Sequence, residues 1–175
     1  MDGNKFFLYR FDGDTDVNDE NAEVKEFRFS ITVPAFGHVC KAKKTREYND
    51  FYTELRWMII SAFRLRVYYI EKDGILVHTS FCTPRTFKFP FMKKNDFHIG
   101  PCFTDPSYRG RSIYPTVLRH IASQQKQNRQ CGDLYMIIEE NNTSSREGVK
   151  KAGFAEVAEL YRKGRLRKYY VKKWL

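Results

Sequence analysis

Residues Asp133–Glu140, DLYMIIEE, form a short continuous apolar run instead of an alternating one. A central strand needs such a run when both of its faces are covered. A chain that carries it is driven towards a layered α/β arrangement, and the remaining periodicity agrees. Lys5–Phe11 and Val24–Val33 read as strands. In the second, Phe27, Phe29 and Ile31 alternate with Arg28, Ser30 and Thr32, the period of a half-buried strand, until Pro34 and Gly37 break it. The acidic stretch between these strands lacks the placed glycine and distant glutamate of a calcium loop and reads as a solvated turn. Arg46–Arg64 reads as a helix, with Phe51, Leu55, Met58 and Ile59 on one face.

Val67–Glu71 and Ile75–Thr83 flank Lys72-Asp73-Gly74, a hairpin signal. A loop rich in Phe and Lys, Pro84–Asp96, leads to a strand at Phe97–Thr104. Arg109–Gln127 reads as a helix, and Thr143–Ala152 as a second one closed by Gly153, suited to a left-handed cap. Ala155–Arg162 and Arg165–Trp174 make a final hairpin turning near Lys163-Gly164. The order β, β, α, β, β, β, α, β, α, β, β describes one mixed α/β domain over residues 1–175.

Composition narrows the function classes. With 42% hydrophobic and 16% aromatic residues, disorder is excluded. Lys plus Arg number 31 against 21 Asp plus Glu, and the net charge of +10 attracts phosphates, nucleic acid or acidic lipids. The apolar run Phe6–Leu8 is too short for a signal peptide, and Trp57–Phe63 falls far short of the roughly 20 residues that span a bilayer. Cys40, Cys82, Cys102 and Cys131 are scattered, with no CxxC and no Cys/His cluster at zinc spacing. The expectation is a soluble cytoplasmic protein with free thiols, no metal and no membrane partner.

Chemistry concentrates in FTDPSYRGRSIYPTVLRHI, residues 103–121. A strand runs into a tight turn, and Arg109-Gly110-Arg111-Ser112 opens a helix. The first amides of a helix have no internal partners, so a turn that aims them outward cradles a phosphate or pyrophosphate. Gly110 permits close backbone approach, and Arg109 and Arg111 add guanidinium donors. Pro115 is tolerated in the first turn, where its N–H is not needed.

These residues resemble the acyl-CoA motif of the GCN5-related N-acetyltransferases: a strand, then Arg/Gln-x-x-Gly-x-Gly/Ala, then a helix. Thr104-Asp105-Pro106-Ser107-Tyr108 looks like the family's lead-in. Downstream, Asn142 with Ser145 three residues on, followed by Lys151-Ala152-Gly153-Phe154, is similar to its second motif. The resemblance covers residues 66–174 and reaches the N-terminal 1–40 only loosely. It implies a mixed, largely antiparallel central sheet with helices on both faces. Acyl-CoA would lie at a splay between the family's fourth strand, here Phe97–Thr104, and its fifth, here Asp133–Glu140. The cofactor-binding residues it implies are Cys102, Phe103, Thr104, Arg109, Gly110, Arg111, Ser112, Ile113, Tyr114, Asn142 and Ser145, with acetyl-CoA as co-substrate. A main-chain N–H near Cys102–Thr104 would polarise the thioester carbonyl.

The departures matter as much. Ser112 stands where the family has its second Gly and is expected at ordinary helical angles. Tyr114 replaces the final Gly/Ala, so its ring must point away from the pyrophosphate. The family often carries a general-acid Tyr in its fourth helix; seven residues beyond Asn142 that position is Val149. The base is not identified by the resemblance. His78 and Glu139 are candidates, with His98 at the start of the CoA strand and Tyr161 on the last hairpin behind them.

The resemblance implies transfer of an acetyl group to a small-molecule amine by direct attack. Within the family, FMKKNDFHIGPCFTDPSYRGRSIYP looks like enzymes of surface-polysaccharide and nucleotide-sugar biosynthesis, which would make the acceptor an amino sugar. A peptide or protein amine is an alternative. So is a nucleic-acid-binding module, suggested by Arg162, Lys163, Arg165, Arg167, Lys168, Lys172 and Lys173 interleaved with Tyr161, Tyr169, Tyr170 and Trp174. An edge hairpin whose charges deter aggregation explains that interleaving better, so nucleic acid is disfavoured. Monomer and homodimer remain open.

Overall fold

The computed structural model describes residues 5–13, 23–28, 59, 64–127, 131–164 and 166–175. Eight strands form one sheet: β1 (Phe6–Phe11), β2 (Lys25–Arg28), β3 (Arg66–Lys72), β4 (Ile75–Pro84), β5 (Phe97–Thr104), β6 (Leu134–Glu139), β7 (Phe154–Lys163) and β8 (Lys168–Trp174). Their order is β2-β3-β4-β5-β6-β1-β7-β8. Two helices, α1 (Ile113–Gln127) and α2 (Thr143–Lys151), connect β5 to β6 and β6 to β7. The helix expected at Arg46–Arg64, the end of the strand expected at Val24–Val33, Cys40 and His38 lie outside the described residues, Arg64 and Ile59 apart.

The first strand is not an edge. β1 pairs antiparallel with β6 on one side and β7 on the other, so FFLYRF needs cover on both faces. Leu8 and Tyr9, adjacent in sequence and opposite in direction, are both 0% exposed. At the β3–β4 turn, Asp73 and Gly74 take φ of 50° and 72°. Positive φ at both central residues gives a hairpin turn whose twist matches that of the strands.

β5 and β6 are the parallel pair, and their register holds only at Phe97–Leu134 and His98–Tyr135. Beyond it β5 runs on to Thr104 and β6 to Glu139 without pairing. The two strands part there, leaving a wedge open in the middle of the sheet.

Both described helices lie on the same face. Val117, Leu118 and Ile121 of α1, Val149 of α2 and its C-cap Ala152 pack over Tyr9, Phe97, Ile99 and Met136. On the opposite face Phe6, Leu8, Tyr135 and Leu160 lie under Phe89 and Met92 of the β4–β5 loop. Helices on both faces are thus not seen among the described residues; the second face is covered there by a loop. β8 closes one edge of the sheet with Lys172 and Lys173 exposed, a charge pattern that hinders pairing with a further strand.

Candidate active site

The helix expected from Arg109 begins four residues later, at Ile113. Pro106–Tyr108 instead forms a single 3₁₀ turn, capped by the Asp105 carboxylate accepting from Ser107 N–H at 2.9 Å. The chain then turns through Gly110 at φ 77° and Ser112 at φ 57°. Ser112 therefore does not adopt ordinary helical angles, because alternate left-handed residues are what curl successive amides around one point. The first backbone bond of α1 is Thr116 N–H to Ser112 C=O, 3.1 Å, and no acidic residue stands in the first turn. A Cβ built on Gly110 meets nothing within 4 Å. The loop thus presents an open, positively polarised concavity.

Serine in the left-handed region costs about 1–2 kcal/mol. Replacing it by glycine also adds roughly 0.5–1 kcal/mol of unfolded-state entropy. Ser112→Gly is accordingly expected to raise stability by about 0.5–1 kcal/mol in urea unfolding. A lower urea midpoint would show that the Ser112 side chain holds the turn.

The cradle opens into a cavity of about 610 Å³ that runs from Arg109 past the N-terminal end of α1 and along α2 as far as Lys151. A second cavity of about 320 Å³ lies across the wedge, walled by Phe89, His98, Pro101, Ile137, Glu139 and Tyr169. Cys102, Tyr114, Asn142 and Ser145 line both. The two cavities meet where β5 leaves β6.

Backbone direction at this junction follows from register. Asp105 N–H donates to Val77 C=O at 2.9 Å, and β5 pairs residue by residue with β4 from Thr104 back to Cys102. Antiparallel bonding alternates, so Cys102 and Thr104 turn their main-chain groups away from β4 and into the wedge. Arg109 Nε already occupies Thr104 C=O at 3.1 Å. The Cys102 N–H remains as a fixed donor at the junction.

Beneath it runs a chain of buried polar side chains. His78 is 0% exposed, with Nδ1 2.7 Å from Thr104 Oγ1 and Nε2 2.8 Å from Ser80 Oγ. Ser80 Oγ donates in turn to Cys102 Sγ at 3.2 Å. Burial pushes His78 down to about 3, so the ring is neutral and its one donor and one acceptor are both matched. Burial likewise pushes the Cys102 thiol up to about 12. His78 thus has both nitrogens engaged in the floor. His98 lies in the wall of the second cavity, 4.5 Å from the Phe89 ring, and burial, with Lys88 nearby, pushes it down to about 3. Glu139 ends β6 on that same wall. Tyr161 stacks on Tyr170 at 5.7 Å and lines neither cavity.

Asn142 caps α2, its side-chain oxygen accepting from Ser145 N–H at 3.2 Å. Arg146 fixes that end of the helix. It donates to Tyr9 Oη (2.9 Å), Glu156 Oε2 (3.3 Å) and Glu140 C=O (3.2 Å) and lies over the Phe7 ring at 4.3 Å. Every cofactor residue expected from the sequence lines the first cavity except Arg111, which lies over the Tyr108 ring at 5.1 Å. Gly148 and Lys151 also line it and were not expected. Helical spacing from Ser145 was the signal that places them on its face.

No protein-family model and no curated protein matches the sequence. Solved structures match the fold. An acetyltransferase of the GNAT family from Colwellia psychrerythraea aligns with a TM-score of 0.62 and 15% identity, over 89% of this chain and 53% of that one. A GCN5-related N-acetyltransferase from Sphaerobacter thermophilus gives 0.61 and 13%, over 90% and 50%. The chain therefore spans about half the length of these two proteins. The aminoglycoside N-acetyltransferase AAC(6')-Iy in complex with CoA gives 0.53 and 15%, over 77% of this chain and 92% of that one. Identity this low speaks to architecture alone: the chain has the fold of the GCN5-related N-acetyltransferases.

Proposed function

We propose that this protein is an acetyl-CoA-dependent N-acetyltransferase acting on a small amine. The observation that carries the reading is the meeting of two cavities at the β5–β6 wedge, one of them ending in a phosphate cradle. Support for the co-substrate comes from the fit. Amides curled around Gly110 and Ser112, with Arg109 and Lys151 along the same cavity against the single carboxylate Glu147, suit a polyphosphate. The wedge edge of β5 suits a pantetheine arm. A structure of the same fold has been solved with CoA bound.

Acetyl-CoA supplies an acyl group on a thiol, whose pKa near 8.5 makes it a ready leaving group. The Cys102 N–H donates to the carbonyl oxygen as negative charge develops there, a preorganised dipole that needs no reorganisation. Glu139, across the wedge, holds the incoming amine and takes its proton. His78, through Thr104 and Ser80, keeps the β5 edge in position. Lacking an open nitrogen, it does no acid–base work.

The second cavity, at about 320 Å³, suits a monosaccharide-sized amine. Half-buried Tyr169 adds an aromatic wall and Glu139 a counter-charge, so an amino sugar is the acceptor we favour. The aminoglycoside N-acetyltransferase of the same fold supports that choice of class.

Calorimetric titration tests the reading. CoA is expected to bind wild-type protein saturably. Gly110→Asn and Gly110→Asp both tolerate a left-handed backbone and differ by one charge at the cradle. Gly110→Asp is expected to bind at least tenfold more weakly than Gly110→Asn. No CoA binding to the wild type overturns the proposal, and equal affinities for the two variants move the phosphates elsewhere.

A further inference from the structure

We propose that the Tyr114 hydroxyl donates the proton that the departing sulfur takes up, so that α1 supplies an acid absent from α2. The assignment rests on the acetyl-transfer reading above.

Val149, where an acid from α2 would stand, is 0% exposed in the core beneath the helices and lines neither cavity. One residue earlier, α2 carries Gly148. A Cβ there would lie 2.6 Å from Tyr114 Cδ1 and 2.9 Å from Cε1. The Tyr114 ring therefore lies directly on the α2 backbone, in space that any side chain at position 148 would fill. The missing side chain on one helix makes room for an aromatic side chain from the other.

The ring also delivers its hydroxyl to the right place. Tyr114 Oη points at Met136 Sδ, 3.9 Å away, and no stronger acceptor engages it among the described residues. Met136 is the first β6 residue beyond the last β5–β6 pair, His98–Tyr135. The hydroxyl thus stands at the mouth of the wedge, and Tyr114 is one of the four residues lining both cavities.

The other three are poorer acids. Asn142 and Ser145 have no proton acidic enough for a thiolate. The Cys102 thiol is pushed up to about 12 by burial in the polar chain beneath the strand. Tyr114 offers a phenol, whose ordinary pKa near 10 is close to that of a thiol. Burial moves Tyr114 further up, which keeps the hydroxyl protonated and able to donate at neutral pH.

The step balances. As the tetrahedral intermediate collapses, the C–S bond breaks and its electron pair goes to sulfur, which takes the Tyr114 proton. The resulting phenolate is reprotonated through solvent with the proton that Glu139 removed from the amine. No oxidant or further reactant is required.

Tyr114→Phe keeps the ring on Gly148 and removes only the oxygen. Its thermal midpoint should stay within a few degrees of wild type. kcat should fall by about 10²-fold, the low end for general-acid catalysis because a thiolate leaves easily, with KM for acetyl-CoA within threefold. A binding readout separates this role from packing. From pH 7 to 10 the wild type should prefer CoA over desulfo-CoA increasingly, as the hydroxyl bonds the thiolate; Tyr114→Phe should lose about tenfold of that preference. Gly148→Ala, which displaces the ring while keeping the oxygen, should reproduce the loss. An unchanged preference with kcat within twofold in both variants overturns the Tyr114 assignment alone. If neither CoA nor desulfo-CoA binds the wild type, the acetyl-transfer reading falls with it.

Discussion

Glu139→Gln is expected to lower kcat by roughly 10²–10⁴-fold, the range that a positioned general base supplies, with CoA affinity unchanged. Among the side chains walling the second cavity, Glu139 is the anionic one. His98, pushed down to about 3, stays neutral and is a poor base. His78 has no nitrogen to spare. Glutamine keeps the shape and hydrogen-bonding reach of the side chain but neither its charge nor its ability to take a proton. Steady-state rates with the acceptor varied, beside CoA titrations of the same protein, separate the two effects. A variant that turns over within threefold of wild type would remove Glu139 from the chemistry and leave solvent as the proton acceptor.

A second large effect concerns stability in acid. His78 and His98 have folded pKa values near 3 against about 6.5 in an unfolded chain. Between those values the unfolded state binds more protons, so stability rises with pH. It is complete above about pH 6.5 and is lost as pH falls towards 3. Each fully depressed histidine contributes up to about 1.4 kcal/mol per pH unit in that window. His78, with no exposed surface, should contribute most of it, and His98, partly exposed in the cavity, less. Asp105 and Glu159, held down by Ser107 and Lys5, lose their contributions only below their unfolded values near 4, so pH 4.5–6.5 isolates the histidines. Urea unfolding at intervals across that range measures the slope. His78→Gln should flatten it by about half or more even if its stability at pH 7 is lower. An unaltered slope would place the acid sensitivity elsewhere.

Legibility in the sequence differed from element to element. The turn from Arg109 to Ser112 was readable as a turn because its chemistry lies in its own backbone, whereas Asn142 and Ser145 were singled out by their resemblance to the family's second motif. The start of α1 was not. Gly110 signals a left-handed residue openly, but Ser112 adopts φ 57° only because the cradle demands it, and no propensity announces a strained serine. Arg111 was expected at the cradle through its charge. It lies instead over Tyr108, two places that a five-donor side chain at a turn reaches equally well.

What the sequence determined by itself was local: strand and helix periods, the Asp73-Gly74 turn, the Gly153 cap and the covered character of Leu134–Glu139. These depend on residues close together in the chain, whose sterics and spacing act before any distant contact forms. Tertiary structure alone decided that β1 enters the sheet between β6 and β7, since strand order depends on pairing partners more than a hundred residues apart. It alone decided that β5 and β6 part after two paired positions, opening the wedge. It also decided the fate of Tyr114. In the sequence the residue is an awkward ring in place of a glycine; only its packing on Gly148, across two helices, brings its hydroxyl to Met136 at the wedge.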